Sequence, residues 1–156
     1  MIWSVPALQD TTIYESDPYR NAGLDQVLEL RKEGDSSTGD LTESRILMKF
    51  DISRLSSILS QNGISINDIS ASLILNSVQE YDLPSTHTIE AKAVTTSWAN
   101  GSGYHYFPAG TINSQNITDG ATWFSIAGTG SLTWESIYNS NTSYGLVYNS
   151  GSTAGG

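Results

Sequence analysis

The two histidines, His87 and His105, are the first residues to consider for catalysis or metal binding. Neither lies at a spacing typical of metal ligands, and His105 stands between two tyrosines in a segment with loop composition. No serine lies in the Gly-x-Ser-x-Gly pattern that positions a nucleophile, and the absence of cysteine excludes thiolate chemistry and disulfides. We therefore predict that the chain is not an enzyme, and that both histidines have ordinary surface or stacking roles.

An acidic loop is the one place where a metal ion could bind. Asp35, Asp40 and Glu43 lie close together in the sequence, and carboxylates are the usual calcium ligands. However, the Asp-x-Asp-x-Asp-Gly spacing of calcium loops is absent. We expect a solvated acidic loop rather than a calcium site, with no metal and no cofactor.

The aromatic residues after Trp98 are the strongest candidates for binding, because aromatic rings stack on sugars and anchor protein interfaces. Three interpretations remain open: packing in the core, contact with another protein, and contact with a sugar. Packing in the core would make the intervening glycine-rich segment a long Ω-type loop. The predicted contact residues are Trp98, Tyr104, His105, Tyr106, Phe107 and Trp123.

The net charge of −9 limits the partners that the chain can have. Nucleic acid and anionic lipid both require clustered basic residues, so neither is expected. Nothing approaches a membrane span, and the start at Met1 lacks the pattern of a signal peptide. We expect a protein made in a host cytoplasm and used outside it, as virion proteins are, although a secreted chain that has lost its signal would share this composition.

Alternation of apolar and polar residues predicts the strands. The predicted segments are 11–16, 27–31, 44–51, 70–79 and 86–96, with two shorter ones at 122–126 and 144–148. Residues 33–42 have the composition of an exposed loop. In segment 44–51 Ile46, Met48 and Phe50 alternate with a second set, Arg45, Leu47 and Lys49, and we expect the first set to point inward. The predicted core is Ile46, Met48, Phe50, Leu73, Leu75, Ile89 and Ala91.

One short helix is predicted directly after Phe50. Asp51 or Ser53 can cap its start, Leu55, Ile58 and Leu59 fall at helical spacing, and Asn62-Gly63 provides a left-handed end. Short strands at regular spacing with a single helix indicate an all-β fold, an antiparallel β-sandwich or barrel. The length of 156 residues suits one domain that spans residues 1–156.

Three motifs resemble the DNRLRE family of jelly-roll domains, which occur in surface and carbohydrate-associated proteins. They are SRILMKFDIS at 44–53, ISASLIL at 69–75, and TSWANGSG at 96–103 followed by DGATW at 119–123. The resemblance covers roughly residues 11–123 and implies a jelly-roll sandwich. The opening segments, DTTIYE at 10–15 and NAGLD at 21–25, are also similar to tail-fibre and other virion structural proteins of tailed phages, especially marine ones.

Together these observations predict a non-enzymatic structural protein of a tailed phage: a fibre-base, adaptor or decoration domain. Its partners would be other virion proteins in a multi-copy assembly. The alternative is a carbohydrate-binding module of a surface or fibre protein, with a host-surface glycan as its ligand. The resemblance leads us to expect further closing strands after residues 144–148. Either the natural chain continues beyond Gly156 or a neighbouring chain supplies the missing pairing.

Overall fold

A central strand, β3, organises the part of the chain that the computed structural model describes. That part comprises residues 2–34, 38–76, 89, 91–92, 94, 96–105, 119–128 and 134. Strand β3 (Leu41–Phe50) pairs antiparallel with β1 (Ala7–Tyr14) and with β2 (Lys32–Gly34), giving the order β1-β3-β2. Helix α1 (Ser53–Gln61) and a 3₁₀ turn (Ile66–Asp68) follow. The described residues thus form a β-rich structure with one antiparallel sheet and one α-helix.

The register of β1 against β3 decides which side chains share a face. Ile13 lies opposite Arg45, and Thr11 lies opposite Leu47. Since successive strand residues point to opposite sides of a sheet, these four side chains share one face, and Thr12, Tyr14 and their partners share the other. All four residues from Thr11 to Tyr14 are buried. This end of β1 is therefore covered on both sides.

The hydrophobic core lies on the face that carries Ile13 and Leu47. Both are almost fully buried, and they pack with three tryptophans and two further apolar side chains from later in the chain. We call this cluster the tryptophan core: Ile13, Leu47, Trp98, Ala121, Trp123, Ile126 and Trp134.

The predicted core was wrong. Within β3 the most buried residue is Leu47, at 1% exposure, whereas Phe50 is 37% exposed and Ile46 and Met48 are only half-buried. The remaining predicted core residues, Leu73, Leu75, Ile89 and Ala91, are all exposed. The physical reason lies at Arg45, whose guanidinium carbon sits 4.6 Å from the centre of the Trp123 ring. A charged residue thus lies on the core face, because its aliphatic stem packs there while its head stays polar.

The predicted strands agree with the structure unevenly. The strand at 11–16 is observed as Ala7–Tyr14, and that at 44–51 as Leu41–Phe50. Residues 27–31 form no strand, and β2 instead occupies the start of the predicted loop 33–42. Residues 70–76 form no strand, and residues 122–126 form a bend with an isolated β-bridge at Ser125, where the Thr122 N–H donates to the Ser125 carbonyl. Most of 86–96 and all of 144–148 lie outside the described residues.

Helix α1 confirms the predicted position, face and end of the helix, but the predicted cap was wrong. Ile52 occupies the N-cap position and gives no side-chain cap bond, while the Asp51 carboxylate accepts a hydrogen bond from the Ser53 N–H at 3.0 Å. Leu59 is buried, with Leu55 and Ile58 half-buried beside it. Gly63 has a φ of 64°, and the Ile64 N–H donates to the Leu59 carbonyl, which is the left-handed ending expected of glycine. No helix in the described part of the chain is long and apolar enough to cross a membrane.

Candidate functional site

The structure separates the predicted aromatic residues into two groups. Trp98 and Trp123 join Ile13 in the tryptophan core, whereas His105 stacks on Tyr14, the next residue along β1. Because Ile13 and Tyr14 point to opposite sides of the sheet, the two groups lie on opposite faces. Tyr104 is half-buried in the segment that leads to His105. Tyr106 and Phe107 lie outside the described residues, as does His87.

Trp98 and Trp123 have little surface left for a ligand. Each is only 9% exposed, and both pack against the aliphatic side chains of the tryptophan core. The third tryptophan, Trp134, donates its indole N–H to the Thr122 carbonyl at 2.8 Å. Of the three roles open to Trp98 and Trp123, core packing is the one that their surroundings favour.

On the opposite face, Tyr14 is the centre of a partly polar cluster. The rings of Tyr14 and His105 are nearly parallel, with centroids 4.0 Å apart, and the Arg31 guanidinium carbon lies 5.2 Å from the Tyr14 ring centre. The His105 N–H donates to the Asp25 carboxylate at 3.0 Å. We call these four residues, Tyr14, Asp25, Arg31 and His105, the Tyr14 cluster.

Burial changes the acid–base behaviour of two members of this cluster. It raises the pKa of the Tyr14 hydroxyl well above its ordinary value, with the nearby Glu29 carboxylate adding to the effect. Burial also lowers the pKa of His105, and the positive charges of Arg20 and Arg31 lower it further. Both side chains are therefore neutral at neutral pH. A neutral stacked pair of this kind joins the segment around residue 105 to β1.

A buried asparagine holds three distant segments together beside this cluster. The Asn21 side-chain amide donates to the carbonyls of Asn100 and Ala121, both at 2.8 Å. Its Oδ1 accepts from the N–H groups of Gly23 and Gly103, at 3.1 and 2.9 Å. A side-chain amide has two donors and can accept two bonds, so every bonding position is used. We call this arrangement the Asn21 clamp.

Glycines allow the clamp to form because their backbone approaches Asn21 closely. A Cβ at Gly101, Gly103 or Gly120 would lie nearer to Asn21 atoms than real Cβ contacts come. Gly101 also has a φ of 80°, a conformation that residues with side chains rarely adopt. The glycine-rich composition at 101–103 therefore reflects close packing here rather than an unconstrained loop.

Further hydrogen bonds reinforce the same junction. The Asn100 side chain donates to the Gly23 carbonyl at 2.7 Å, and the Leu24 N–H donates to the Gly103 carbonyl at 2.9 Å. The Asp119 carboxylate accepts from the hydroxyl and the N–H of Ser102, and these two bonds lower the pKa of Asp119. Sequence reasoning missed this junction. The segment Asn21-Ala22-Gly23 has the composition of a turn, which does not reveal a long-range role.

The acidic loop gives no metal site among the described residues. Asp35 lies outside them, and Glu43 belongs to β3, where it accepts a bond from the Arg45 Nε at 2.8 Å. No three His, Asp or Glu side chains converge within the described ranges in a way that could hold a metal ion.

Apolar side chains remain exposed away from the tryptophan core. Leu8 is 62% exposed and Ile52 is 64% exposed, both near the Ala7–Phe50 end of the sheet. After the 3₁₀ turn Ile74 is 79% exposed, and its neighbours Leu73 and Leu75 are 51% and 49% exposed. The exposed aliphatic and phenylalanine residues from β1 onward include Leu8, Leu24, Val27, Leu30, Leu41, Phe50, Ile52, Ile66, Leu73, Ile74, Leu75 and Ile89.

Comparison with known proteins does not assign the chain to a family. No protein-family model, curated protein or solved structure matches it. What the chain does must therefore be argued from its own residues and geometry.

Proposed function

We propose that the chain is a non-enzymatic structural domain that acts by docking onto other protein chains, as a component of a tailed-phage virion. The observation that carries this proposal is the distribution of its apolar groups. Tryptophans that could contact a ligand are buried in the core, while aliphatic side chains such as Leu8, Ile52 and Ile74 remain exposed. Exposed apolar surface is typical of protein interfaces.

The polar clusters also support a structural role. Asp119 accepts bonds from Ser102, Asp25 accepts from the His105 N–H, and Glu43 pairs with Arg45. Catalytic carboxylates usually face each other or a nucleophile across a cleft. These carboxylates instead serve as acceptors that join one segment of the chain to another.

We further propose that the fold is a jelly-roll sandwich, as the DNRLRE-like motifs imply. The burial of residues 11–14 on both faces supports a second layer over β1. The two parts of the third motif, around Trp98 and Trp123, meet Leu47 of the first motif in the tryptophan core. Such a domain would suit a fibre base, an adaptor or a decoration protein.

The test is to look for the chain in assembled particles. If the chain is a virion component, gradient-purified particles of its phage contain it at a fixed copy number, as measured by quantitative mass spectrometry. Its absence from particles that contain the other structural proteins would refute the proposal. The carbohydrate-binding alternative predicts instead that the purified chain binds a defined glycan on an array, and that the binding is lost when Tyr104 is replaced by Ala.

A further inference from the structure

The residues after the 3₁₀ turn combine exposed aliphatic side chains with an absence of charged ones. Residues 70–76 belong to no helix or strand and are all exposed, and no backbone hydrogen bond joins them to another described residue. Leu73, Ile74 and Leu75 are 51%, 79% and 49% exposed, so neither side of this stretch is packed. We call residues 69–76 the neutral segment, since no charged residue occurs between Asp68 and Glu80.

The charge of the chain indicates which partner could cover the neutral segment. The chain carries 16 acidic and 7 basic residues, so two copies repel each other over most of their surfaces. The neutral segment is a place where two copies can meet without bringing carboxylates together. Apolar and polar residues alternate from Ile69 to Leu73, a pattern suited to strand pairing.

The sequence of the segment is complementary to itself. In an antiparallel pair centred on Ser72, Ile69 lies opposite Leu75 of a second copy, and Ala71 lies opposite Leu73. A two-fold axis through this centre repeats both contacts, as symmetric dimers require. Because side chains alternate along a strand, Ile69, Ala71, Leu73 and Leu75 of both copies then form one apolar strip. Asp68 falls opposite Asn76, so no like charges meet.

We propose that two copies of this chain associate through antiparallel pairing of their neutral segments about a two-fold axis at Ser72. This inference rests on the proposed docking function and specifies the surface used between copies. Pairing would satisfy backbone groups that an exposed strand otherwise leaves open to non-specific association.

The experiment uses the full 156-residue chain in sedimentation equilibrium at about 100 µM, a concentration suited to a small interface. We expect wild type to dimerise. Ser72→Glu places two like charges directly opposite each other and should weaken dimerisation at least tenfold. Ser60→Glu, on the exposed surface of α1, is the matched control and should leave dimerisation unchanged. A monomeric wild type, or a Ser72→Glu variant that dimerises as wild type does, would overturn the inference.

A second measurement tests the proposed two-fold axis if the Ser72→Glu variant fails to fold. The chain has no cysteine, so Ser72→Cys introduces a single thiol. Opposed residues in an antiparallel pair have Cα atoms about 4.5–5.5 Å apart, which a disulfide can span. Mild oxidation should give a covalent dimer of Ser72→Cys but not of Ser60→Cys. Equal cross-linking of both variants would reject the Ser72 axis. The presence of the chain in virions is measured separately, so either proposal can fail alone.

Discussion

Two regions of the molecule are built on different principles. The Asn21 clamp bonds Asn21 to backbone groups 79 and 100 positions further along the chain, and the tryptophan core joins Ile13 and Leu47 to residues from Trp98 onward. The stretch from Phe50 to Asn76 relies on local contacts instead: a helix with its own end signal, a 3₁₀ turn and an exposed segment without regular secondary structure.

This difference teaches where stability and interaction surface reside. Bonds between distant segments fix the tertiary structure, and their loss leaves buried donors and acceptors without partners. Local elements with exposed apolar side chains contribute less to the folded state of a single chain, and they remain available to a partner. We therefore expect substitutions in the first region to change unfolding, and substitutions in the second to change association.

The largest effect is expected at Asn21. Asn21→Asp keeps the size of the side chain but replaces its donor group with an oxygen, which would face the carbonyls of Asn100 and Ala121. We expect a loss of about 3–5 kcal/mol in the free energy of unfolding at neutral pH, measured by urea denaturation. The control is Asn67→Asp, on an exposed residue, which should change stability by less than about 0.5 kcal/mol. Equal stability of the two variants would show that the clamp contributes little to the free energy of unfolding.

A second prediction compares the two faces of β3. Leu47→Ala removes a side chain from the tryptophan core and should cost about 2–5 kcal/mol in the free energy of unfolding. Phe50→Ala, at the exposed end of the same strand, should cost about 1 kcal/mol or less. Thermal or urea unfolding of both variants measures the difference. A greater loss for Phe50→Ala would restore the core that the alternation of the sequence predicted.

The two regions also differ in how far the sequence predicts them. The position and end of helix α1 were predicted well because their signals are local: Asp51 before the first turn, and Asn62-Gly63 after the last one. The inward face of β3 was assigned wrongly, because Arg45 was taken as solvent-facing. In fact Arg45 covers the Trp123 ring and pairs with Glu43. A period-two pattern gives the alternation of a strand but does not identify the buried side when long charged side chains line the core.

The Asn21 clamp and the Tyr14 cluster illustrate a different limit. The composition of 21–23 indicates only a turn, and His105 was predicted only as a contact residue. The groups that bond Asn21 and His105 lie some 80 positions away in the sequence. Single-sequence patterns report only neighbours within a few residues, so they could not reveal which backbone groups Asn21 bonds or which ring His105 stacks on.

A third prediction tests the close packing around the clamp. A Cβ at Gly103 would collide with backbone atoms of Asn21, which cannot move aside as a flexible side chain could. Gly103→Ala should therefore cost about 1–3 kcal/mol in the free energy of unfolding. Gly34→Ala is the control, because the nearest atom to its Cβ is a Leu41 side-chain carbon at 3.8 Å, an ordinary contact. Its stability should stay within about 0.5 kcal/mol of wild type. If the two substitutions cost the same, the packing at Gly103 is looser than described.

The smallest expected effect is a pH dependence that originates at His105. Burial and the charges of Arg20 and Arg31 lower its pKa in the folded state, whereas the unfolded value is about 6.5. The unfolded chain therefore binds more protons in this range, so stability rises with pH and is lost as the pH falls through the unfolded value. The other charged groups that face His105 include Asp17, Asp25 and Glu29.

The measurement is urea unfolding of wild type and of His105→Phe, which keeps a ring against Tyr14, compared between pH 7.5 and pH 5. We expect wild type to lose more stability than the variant over this window. Parallel pH profiles would mean that protonation of His105 is not opposed by the fold, and that the stacking on Tyr14 leaves the imidazole accessible to solvent.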